Sequence, residues 1–275
     1  MEILFPYEKV REIQSDFIND IIKVVEQKKH LIAHVPTGIG KTAAVLSAVM
    51  PYVLEKEFTL FFLTSRHTQH RIAVETLKDI RKKHGAGINV VDLIGKRNMC
   101  SQFGADAMGS QFYDFCRTIV ERKECEFYEN TYSEIGYSFE TRKFLEDKSS
   151  KGILHVEEFL DIAKKTKLCP YELAILKAKK ASVVIADYSY IFNPNIREAF
   201  FKRSNKFLEK SIIVVDEAHN LPGRLREMMS SSISAYVLEQ ALKEAKVYPG
   251  ALSILQKIKE RCANVCDVEN ERIVR

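Results

Sequence analysis

The sequence predicts an α/β domain in which a parallel sheet is covered by helices on both faces. Its candidate strands are continuous apolar runs, which is typical of strands buried on both sides. These runs are LIAHV (31–35), TLFFLT (59–64), INVVDLIG (88–95), SVVIAD (182–187) and SIIVVDE (211–217). Helical patterns, such as those of residues 72–80 and 170–179, separate several of the runs. Alternating strands and helices indicate a doubly wound sheet.

Two further helices are predicted on either side of the first apolar run. Residues 14–25 carry apolar side chains at helical spacing, and residues 42–56 are rich in alanine and leucine. Pro51 lies inside the second segment. Because proline has no backbone N–H to donate, we expect it to kink or end that helix.

The composition is that of a soluble globular protein. The chain has 275 residues, of which 46% are hydrophobic and 29% charged, with a formal net charge of +5. This charge permits an anionic partner without requiring one. The start of the chain does not resemble a signal peptide, and no long apolar window is present. We therefore expect a cytoplasmic protein, associated with the nucleoid in a prokaryote, and no membrane partner.

The stretch PTGIGKT has the features of a phosphate-binding loop between a strand and a helix. Glycines let the backbone amides turn toward a phosphate, and the helix N-terminus adds positive potential. Lys41 would neutralise the outer phosphates of ATP, and Thr42 would reach Mg²⁺. Val35 stands where the usual pattern has glycine. The predicted nucleotide ligands in this loop are Pro36, Thr37, Gly38, Ile39, Gly40, Lys41 and Thr42.

A pair of carboxylates follows the last predicted strand, in the stretch IIVVDEAHN. Ligands of parallel sheets bind at the carboxyl ends of the strands, where the phosphate loop also lies. Asp216 would hold Mg²⁺, and Glu217 would orient or deprotonate the attacking water. His219 would sense the γ-phosphate or couple it to a neighbouring domain. The predicted catalytic residues are thus Lys41, Asp216, Glu217 and His219.

With these motifs, the chain resembles superfamily 2 helicases that carry a DEAH box. More closely, it resembles the N-terminal portion of the iron–sulfur DNA helicases typified by the xeroderma pigmentosum group D protein. FPYEKVREIQ (5–14) is similar to the family's N-terminal motif, in which Arg11 and Gln14 would recognise adenine. LTSRHTQH (63–70) resembles motif Ia on the DNA path, and ADYSYIFNP (186–194) resembles the segment before the DEAH box. The resemblance implies a RecA-like P-loop ATPase domain.

Four of the six cysteines match this family in order and in local sequence. The resemblance makes Cys100, Cys116, Cys125 and Cys169 the ligands of a 4Fe–4S cluster, and four thiolates suit such a cluster. They include no C-x-x-C pair, so structural zinc is a weaker reading. Four unrelated buried thiols are the remaining alternative. Cys262 and Cys266 are four residues apart, and we expect both in the core of a helical segment.

The domain organisation follows from where the α/β pattern breaks. Residues 1–97 and 170–225 would form a discontinuous RecA-like domain, and residues 98–169 an inserted iron–sulfur domain. Residues 226–275 resemble the start of the family's helical arch domain. No second block of alternating strands and helices follows Glu217. A second RecA-like domain, in the same polypeptide or another, is therefore an expected partner.

The resemblance implies the motor half of an ATP-dependent 5′–3′ helicase. It would act on single-stranded DNA and duplex junctions in DNA repair, with ATP, Mg²⁺ and a 4Fe–4S cluster as cofactors. The predicted DNA contacts are Arg66, His67, Lys96, Arg97, Arg117 and Tyr190. One alternative is a nucleotide-gated, metal-stabilised module that binds single-stranded DNA or regulates a partner without unwinding. A relative of the bacterial damage-inducible DinG-like helicases is another.

Overall fold

The computed structural model describes residues 2–36, 38–147, 152–230 and 233–265. The predictions for Thr37 and Cys266 therefore lie outside the described residues. The chain divides into two compact units, residues 1–225 and 226–275. Among the described residues, no helix is long and apolar enough to cross a membrane.

The larger unit is built on a sheet of four parallel strands. The strands are β1 (Thr59–Leu63), β2 (Val90–Asp92), β5 (Val183–Ala186) and β6 (Ser211–Val215), and a two-stranded hairpin consists of β3 (Tyr132–Ser133) and β4 (Gly136–Tyr137). The order across the sheet is β2-β5-β1-β6. Leu60 of β1 lies beside Val183 on one side and Ile212 on the other. The predicted α/β class is confirmed.

The helices of the larger unit account for most of the remaining chain. They are α1 (Glu12–Glu26), α2 (Lys41–Glu55), α3 (His67–His84), α4 (Phe112–Glu121), α5 (Glu126–Thr131), α6 (Phe139–Glu146), α7 (Val156–Lys165), α8 (Pro170–Ala178), α9 (Ser189–Phe192) and α10 (Pro194–Ser204). A further helix is α11 (Leu221–Met229).

Both faces of the sheet are covered, which explains why its central strands are apolar throughout. Neighbouring residues of a strand point to opposite faces. Phe62 belongs to the core formed with α1, α2 and α3, whereas Phe61 stacks on Phe201 of α10 with ring centroids 5.4 Å apart. All residues of β1 and β5 are buried.

The strand predicted for residues 31–35 is not formed. These residues have no regular secondary structure, and Leu31 and Ile32 are 41% and 99% exposed. A strand needs a paired neighbour and buried side chains, and an apolar run supplies neither by itself. As a result, β6 has one strand neighbour in the described sheet and is only partly buried.

Pro51 does not end α2, contrary to one of the two expected outcomes. The helix continues to Glu55. Proline leaves the carbonyl four residues earlier, that of Ser47, without its helical donor. The backbone N–H of Leu4 donates to this carbonyl at 3.1 Å. A contact from the N-terminal segment therefore replaces the missing helical hydrogen bond.

Residues 98–169 lie in the same compact unit as the sheet. Asp92, at the end of β2, links them to it. One oxygen of its buried carboxylate contacts His70 Nδ1 at 2.5 Å, and the other accepts a hydrogen bond from the Val156 N–H at 2.9 Å. The start of α7 is thereby tied to both β2 and α3.

The described residues of the smaller unit include the helices α12 (Ala235–Glu244) and α13 (Pro249–Val265). Lys259 and Glu239 form an exposed ion pair between them at 3.6 Å. Cys262 is only half-buried, and Ile258 on the same helix is exposed. The core position expected for Cys262 is therefore wrong within this unit, because a pair of short helices leaves most of its surface uncovered.

Candidate functional site

The phosphate loop and the carboxylate pair meet at the carboxyl edge of the parallel sheet. Asp216 directly follows β6, and its N–H donates to the Leu63 carbonyl at the end of β1 at 2.8 Å. Burial raises the pKa of Asp216, and the charge of Glu217 raises it further, whereas Lys41 acts in the opposite direction. Lys41 and Asp216, more than 170 residues apart in the chain, are thus electrostatic neighbours.

The loop has the backbone that its glycines allow. Gly38 and Gly40 have φ of +81° and +82°, a left-handed conformation that glycine adopts without strain. A Cβ on Gly40 would also lie 2.9 Å from Gln14 Nε2. Lys41 and Thr42 begin α2 and are half-buried, and Lys41 Nζ donates to the Val35 carbonyl at 3.5 Å.

The two residues predicted to recognise adenine contact the loop itself. Gln14 is buried, and its Nε2 donates to the Ile39 carbonyl at 2.5 Å, while its Oε1 accepts from the Arg11 N–H at 3.0 Å. Arg11 Nη1 donates to the Gly38 carbonyl at 3.3 Å. The start of α1 therefore holds the backbone of the phosphate loop through side-chain hydrogen bonds.

The remaining catalytic candidates lie where β6 turns into the next segment. Glu217 has φ of +51°, which is unusual for a residue with a side chain. His219 Nδ1 lies 3.4 Å from Glu217 Oε2, and His219 is largely exposed. The three residues Lys41, Asp216 and Glu217 thus gather at one edge with His219 beside them. This arrangement suits the binding of a magnesium nucleotide.

The four cysteines at positions 100, 116, 125 and 169 line one pocket of about 450 Å³, part of which is open to solvent. Burial raises the pKa of the Cys169 thiol to about 12. Burial also raises the pKa of Cys100, and the nearby Cys116 and Cys125 add to this effect. Gln102 Nε2 lies 3.5 Å from the Cys125 sulfur. All five described cysteines are free thiols.

A cation accompanies the thiols in this pocket. Burial acts to lower the pKa of Lys96, but Cys116, Glu172 and Cys169 outweigh it and raise that pKa above its ordinary value. The ammonium lies 5.5 Å from the centre of the Tyr171 ring. In the described part of the chain, no group of three or more His, Cys, Asp and Glu side chains is placed to hold a metal ion.

The predicted DNA contacts occupy different environments. Arg66 and His67 are exposed at the start of α3, where a helix N-terminus favours a phosphate. Arg117 is exposed and ion-paired with Asp114. Tyr190 is buried, and its hydroxyl donates to the Ile94 carbonyl at 2.9 Å, so it offers no surface to DNA.

The other two predicted DNA contacts are adjacent in the chain. Lys96 points into the cysteine pocket, and Arg97 is half-buried beside it. Lys96 therefore lies among the thiols, and Arg97 keeps part of its side chain accessible to solvent.

Motif reasoning missed a buried ionic contact next to the cysteine pocket. Glu172 is 3% exposed, accepts a hydrogen bond from the Tyr132 hydroxyl at 2.6 Å and pairs with Arg203. Glu172 lies in the stretch CPYELA, where a charge between apolar residues was the available signal. Its partners are far away in sequence, and only the fold identifies them.

The comparisons with known proteins agree with this geometry. The DEAD_2 family model matches residues 62–238. The Saccharomyces cerevisiae general transcription and DNA repair factor IIH helicase subunit XPD/RAD3 is 25% identical over 282 residues, covering 94% of this chain and 35% of that protein. A Caenorhabditis briggsae regulator of telomere elongation helicase 1 homolog is 23% identical over 301 residues, covering 98% of this chain and 29% of that protein.

Solved structures show the same fold. A structure described as an XPD helicase superposes with a TM-score of 0.62 at 22% identity, over 98% of this chain and 44% of the other. A truncated XPD gives 0.56 at 21% identity, over 93% and 67%. The chain spans about a third of the length of the curated relatives it matches. Since the family model matches well over half of the chain, the protein belongs to the DEAD_2 family and corresponds to the N-terminal part of XPD-like helicases.

Proposed function

We propose that this chain is the ATP-binding half of a DNA helicase motor that couples ATP hydrolysis to movement on single-stranded DNA. The observation that carries this proposal is the meeting of Lys41 with the Asp216–Glu217 pair at one edge of the sheet. Phosphoryl transfer to water needs a cation at the outer phosphates, a metal ligand and a group that orients the water. These three residues supply those groups.

The roles follow from the position of each side chain. Lys41 and the amides of the loop at the start of α2 would bind the β- and γ-phosphates. Thr42 and Asp216 would hold Mg²⁺, and Glu217 would orient or deprotonate the attacking water. Arg11 and Gln14 would bind adenine and also hold the phosphate loop, because their side chains donate hydrogen bonds to carbonyls of that loop.

A second nucleotide-binding half would complete the motor. Such motors place the γ-phosphate between two domains, and the second domain supplies arginines that stabilise the transition state. We propose that this half comes from the same polypeptide or from another chain. The relatives named for transcription, DNA repair and telomere elongation favour a role in DNA repair or maintenance. The 5′–3′ direction rests on the family resemblance.

We propose that the cysteine pocket holds a 4Fe–4S cluster. Thiolates buried in an apolar pocket are costly without a compensating positive charge, and the raised pKa values of Cys100 and Cys169 express this cost. The iron of a bound cluster would supply that charge, with Cys100, Cys116, Cys125 and Cys169 as its ligands. Since no group in the described residues is placed to hold a metal ion, this proposal rests on the family resemblance and on the pocket that the four thiols share.

ATP hydrolysis with and without single-stranded DNA tests the motor assignment. We expect DNA to stimulate turnover, and Lys41→Ala to reduce it by at least about a hundredfold. Lys23→Ala, which removes an exposed lysine of α1 paired with Asp20, is the control. Equal activity of the Lys41→Ala and wild-type chains would refute the proposal. Nucleotide binding without turnover would assign hydrolysis to the complex with the second half.

The cluster has a separate test. Protein purified without oxygen should contain about four iron atoms and matching acid-labile sulfide per chain. A colourless protein with one zinc ion would refute the cluster and leave the ATP site unaffected.

A further inference from the structure

Tyr188 connects two strand ends at the proposed nucleotide site. It is fully buried and lies two residues after β5, just before α9. Its hydroxyl donates to the Asp216 carbonyl at 2.6 Å and lies 3.2 Å from the Glu217 carbonyl. A single side chain from the centre of the sheet thus contacts the backbone of both proposed catalytic carboxylates.

The backbone at this point needs support. Glu217 has φ of +51°, a left-handed conformation that is strained for a residue with a side chain. Strain of this kind persists when surrounding contacts hold it. The Glu217 carbonyl also accepts a hydrogen bond from the Asn220 N–H at 2.9 Å. The direction of the Glu217 carboxylate depends on this backbone, because the left-handed turn sets where its Cβ points.

The segment of Tyr188 is also joined to the end of β1. The Thr64 N–H donates to the carbonyl of Ala186, two residues before Tyr188, at 3.0 Å. Burial raises the pKa of the Tyr188 hydroxyl, whereas the side chain of Ser65, the residue after Thr64, acts to lower it. Ser65 directly precedes Arg66 and His67, which are exposed at the start of α3. Tyr188 therefore lies between the backbone of the carboxylate pair and the segment that carries two proposed DNA contacts.

We infer that Tyr188 is a positioning residue that holds the Asp216–Glu217 backbone in its hydrolytic geometry and transmits to it the position of the Ser65–His67 segment. In this arrangement, a phosphate bound at the start of α3 moves Ser65, and the Tyr188 hydroxyl passes the change to Glu217. The inference rests on the proposed function, since it describes how DNA would regulate that same nucleotide site.

Tyr188→Phe removes the hydroxyl and keeps the ring. The test measures the affinity of the chain for an oligodeoxythymidine with and without Mg²⁺ and ATPγS, and the reciprocal effect of DNA on ATPγS affinity. We expect the wild-type chain to show coupling of about fivefold or more. In Tyr188→Phe this coupling should fall to within about twofold of unity, while each ligand alone binds with nearly wild-type affinity.

Ser204→Ala is the matched control. It also removes a buried hydroxyl that donates to a backbone carbonyl, that of Phe200 at 2.6 Å, but on α10. We expect both variants to lose similar thermal stability, and Ser204→Ala to keep the coupling. Where the wild type hydrolyses ATP, Tyr188→Phe should lower kcat about tenfold with little change in KM.

Three outcomes would overturn the inference. Tyr188→Phe with wild-type coupling would show that the hydroxyl only contributes stability. A wild-type chain that binds ATPγS and DNA without coupling would show that Tyr188 transmits nothing between the two sites, and it would leave the proposed function intact. A wild-type chain that binds neither ligand would refute the proposed function and the inference with it.

Discussion

The two candidate sites of the larger unit, the nucleotide edge and the cysteine pocket, are held in place by different amounts of apolar packing. The nucleotide edge continues from β1, β5 and β6, and the core below it extends through α1, α2 and α3. The cysteine pocket has a small core of Ala105, Phe112 and Cys116, with Cys100 packed against it. The nucleotide edge thus has a large apolar core of its own, whereas we expect the cysteine pocket to depend more on the cluster proposed for its thiols.

Loss of the proposed cluster should have the largest effect, because it should disturb the cysteine pocket and leave the nucleotide edge nearly unchanged. We expect Cys169→Ser to expose residues 98–169, so that limited proteolysis within them becomes on the order of tenfold faster. Nucleotide affinity should change by less than about threefold, since the sheet keeps its own core. Cys262→Ser, which alters a half-buried thiol of the smaller unit, is the control. Equal proteolysis of both variants and the wild type would show that packing alone holds the pocket.

Glu217→Gln should affect chemistry without affecting the fold of the nucleotide edge. The amide keeps the shape of the side chain and removes its basicity, so turnover should fall about 10²- to 10⁴-fold. ATPγS affinity should remain close to that of the wild type. Glu209→Gln, at an exposed position before β6, provides the comparison. A fall in ATPγS affinity as large as the fall in turnover would instead assign Glu217 to binding.

Two glycines of the phosphate loop offer a matched pair. Gly38 and Gly40 have nearly the same positive φ, but only at Gly40 would a Cβ meet a neighbour, Gln14 Nε2 at 2.9 Å. Each change to alanine should cost about 1 to 2 kcal/mol of unfolding free energy from the left-handed backbone, and Gly40→Ala should cost more.

Urea denaturation without nucleotide measures this difference, and Gln14→Ala tests its cause. We expect Gln14→Ala to remove only the excess cost of Gly40→Ala over Gly38→Ala. A persistent excess in the double variant would show that the contact with Gln14 is not what makes Gly40 necessary.

Lys177, on the helix α8 that begins beside the cysteine pocket, should make stability depend on pH. Burial lowers its pKa from 10.5 to about 8, and its ammonium lies 5.3 Å from the centre of the Phe159 ring. Because the folded pKa is below the unfolded one, folding releases a proton between about pH 8 and 10.5. The contribution of Lys177 to the unfolding free energy therefore rises with pH across this window.

Lys177→Met should thus stabilise the protein most at neutral pH, by about 1 to 2 kcal/mol after allowance for the partial exposure of the side chain. The gain should shrink as the pH rises from 8 to 10.5. Urea denaturation at pH 7 and pH 10 checks this, with the exposed Lys180→Met as control. A gain that stays constant with pH would attribute the effect to packing instead of charge.

Sequence patterns predicted the buried central strands of the sheet correctly. They were less accurate for residues whose structure depends on a neighbour distant in the chain. The strands β1 and β5 were recognisable because burial on both faces requires an unbroken apolar run. The same kind of run at 31–35 does not form a strand, since strand formation also depends on a neighbour to pair with. Pro51 does not end α2 for a related reason: the carbonyl that it deprives of a helical donor accepts a hydrogen bond from Leu4, far from the helix in sequence.

In the candidate site, too, some placements followed from the sequence and others did not. The placement of Asp216 followed from a general property of parallel sheets, whose strand ends share one edge. Two nearby tyrosines, in contrast, could not be told apart by sequence. Tyr190 was selected as a DNA contact and lies buried against Ile94, whereas Tyr188 reaches the carboxylate pair.

The sequence by itself determined the fold class, the phosphate loop, the carboxylate pair and the family resemblance of the cysteines. All of these depend on residues that are neighbours in the chain, or on an apolar pattern that burial imposes locally. The tertiary structure alone decided that Lys41 and Asp216 interact, that the four thiols line one pocket and that Tyr188 contacts the backbone of Asp216 and Glu217. Such contacts join residues distant in sequence, and the packing of the whole chain determines which of them form.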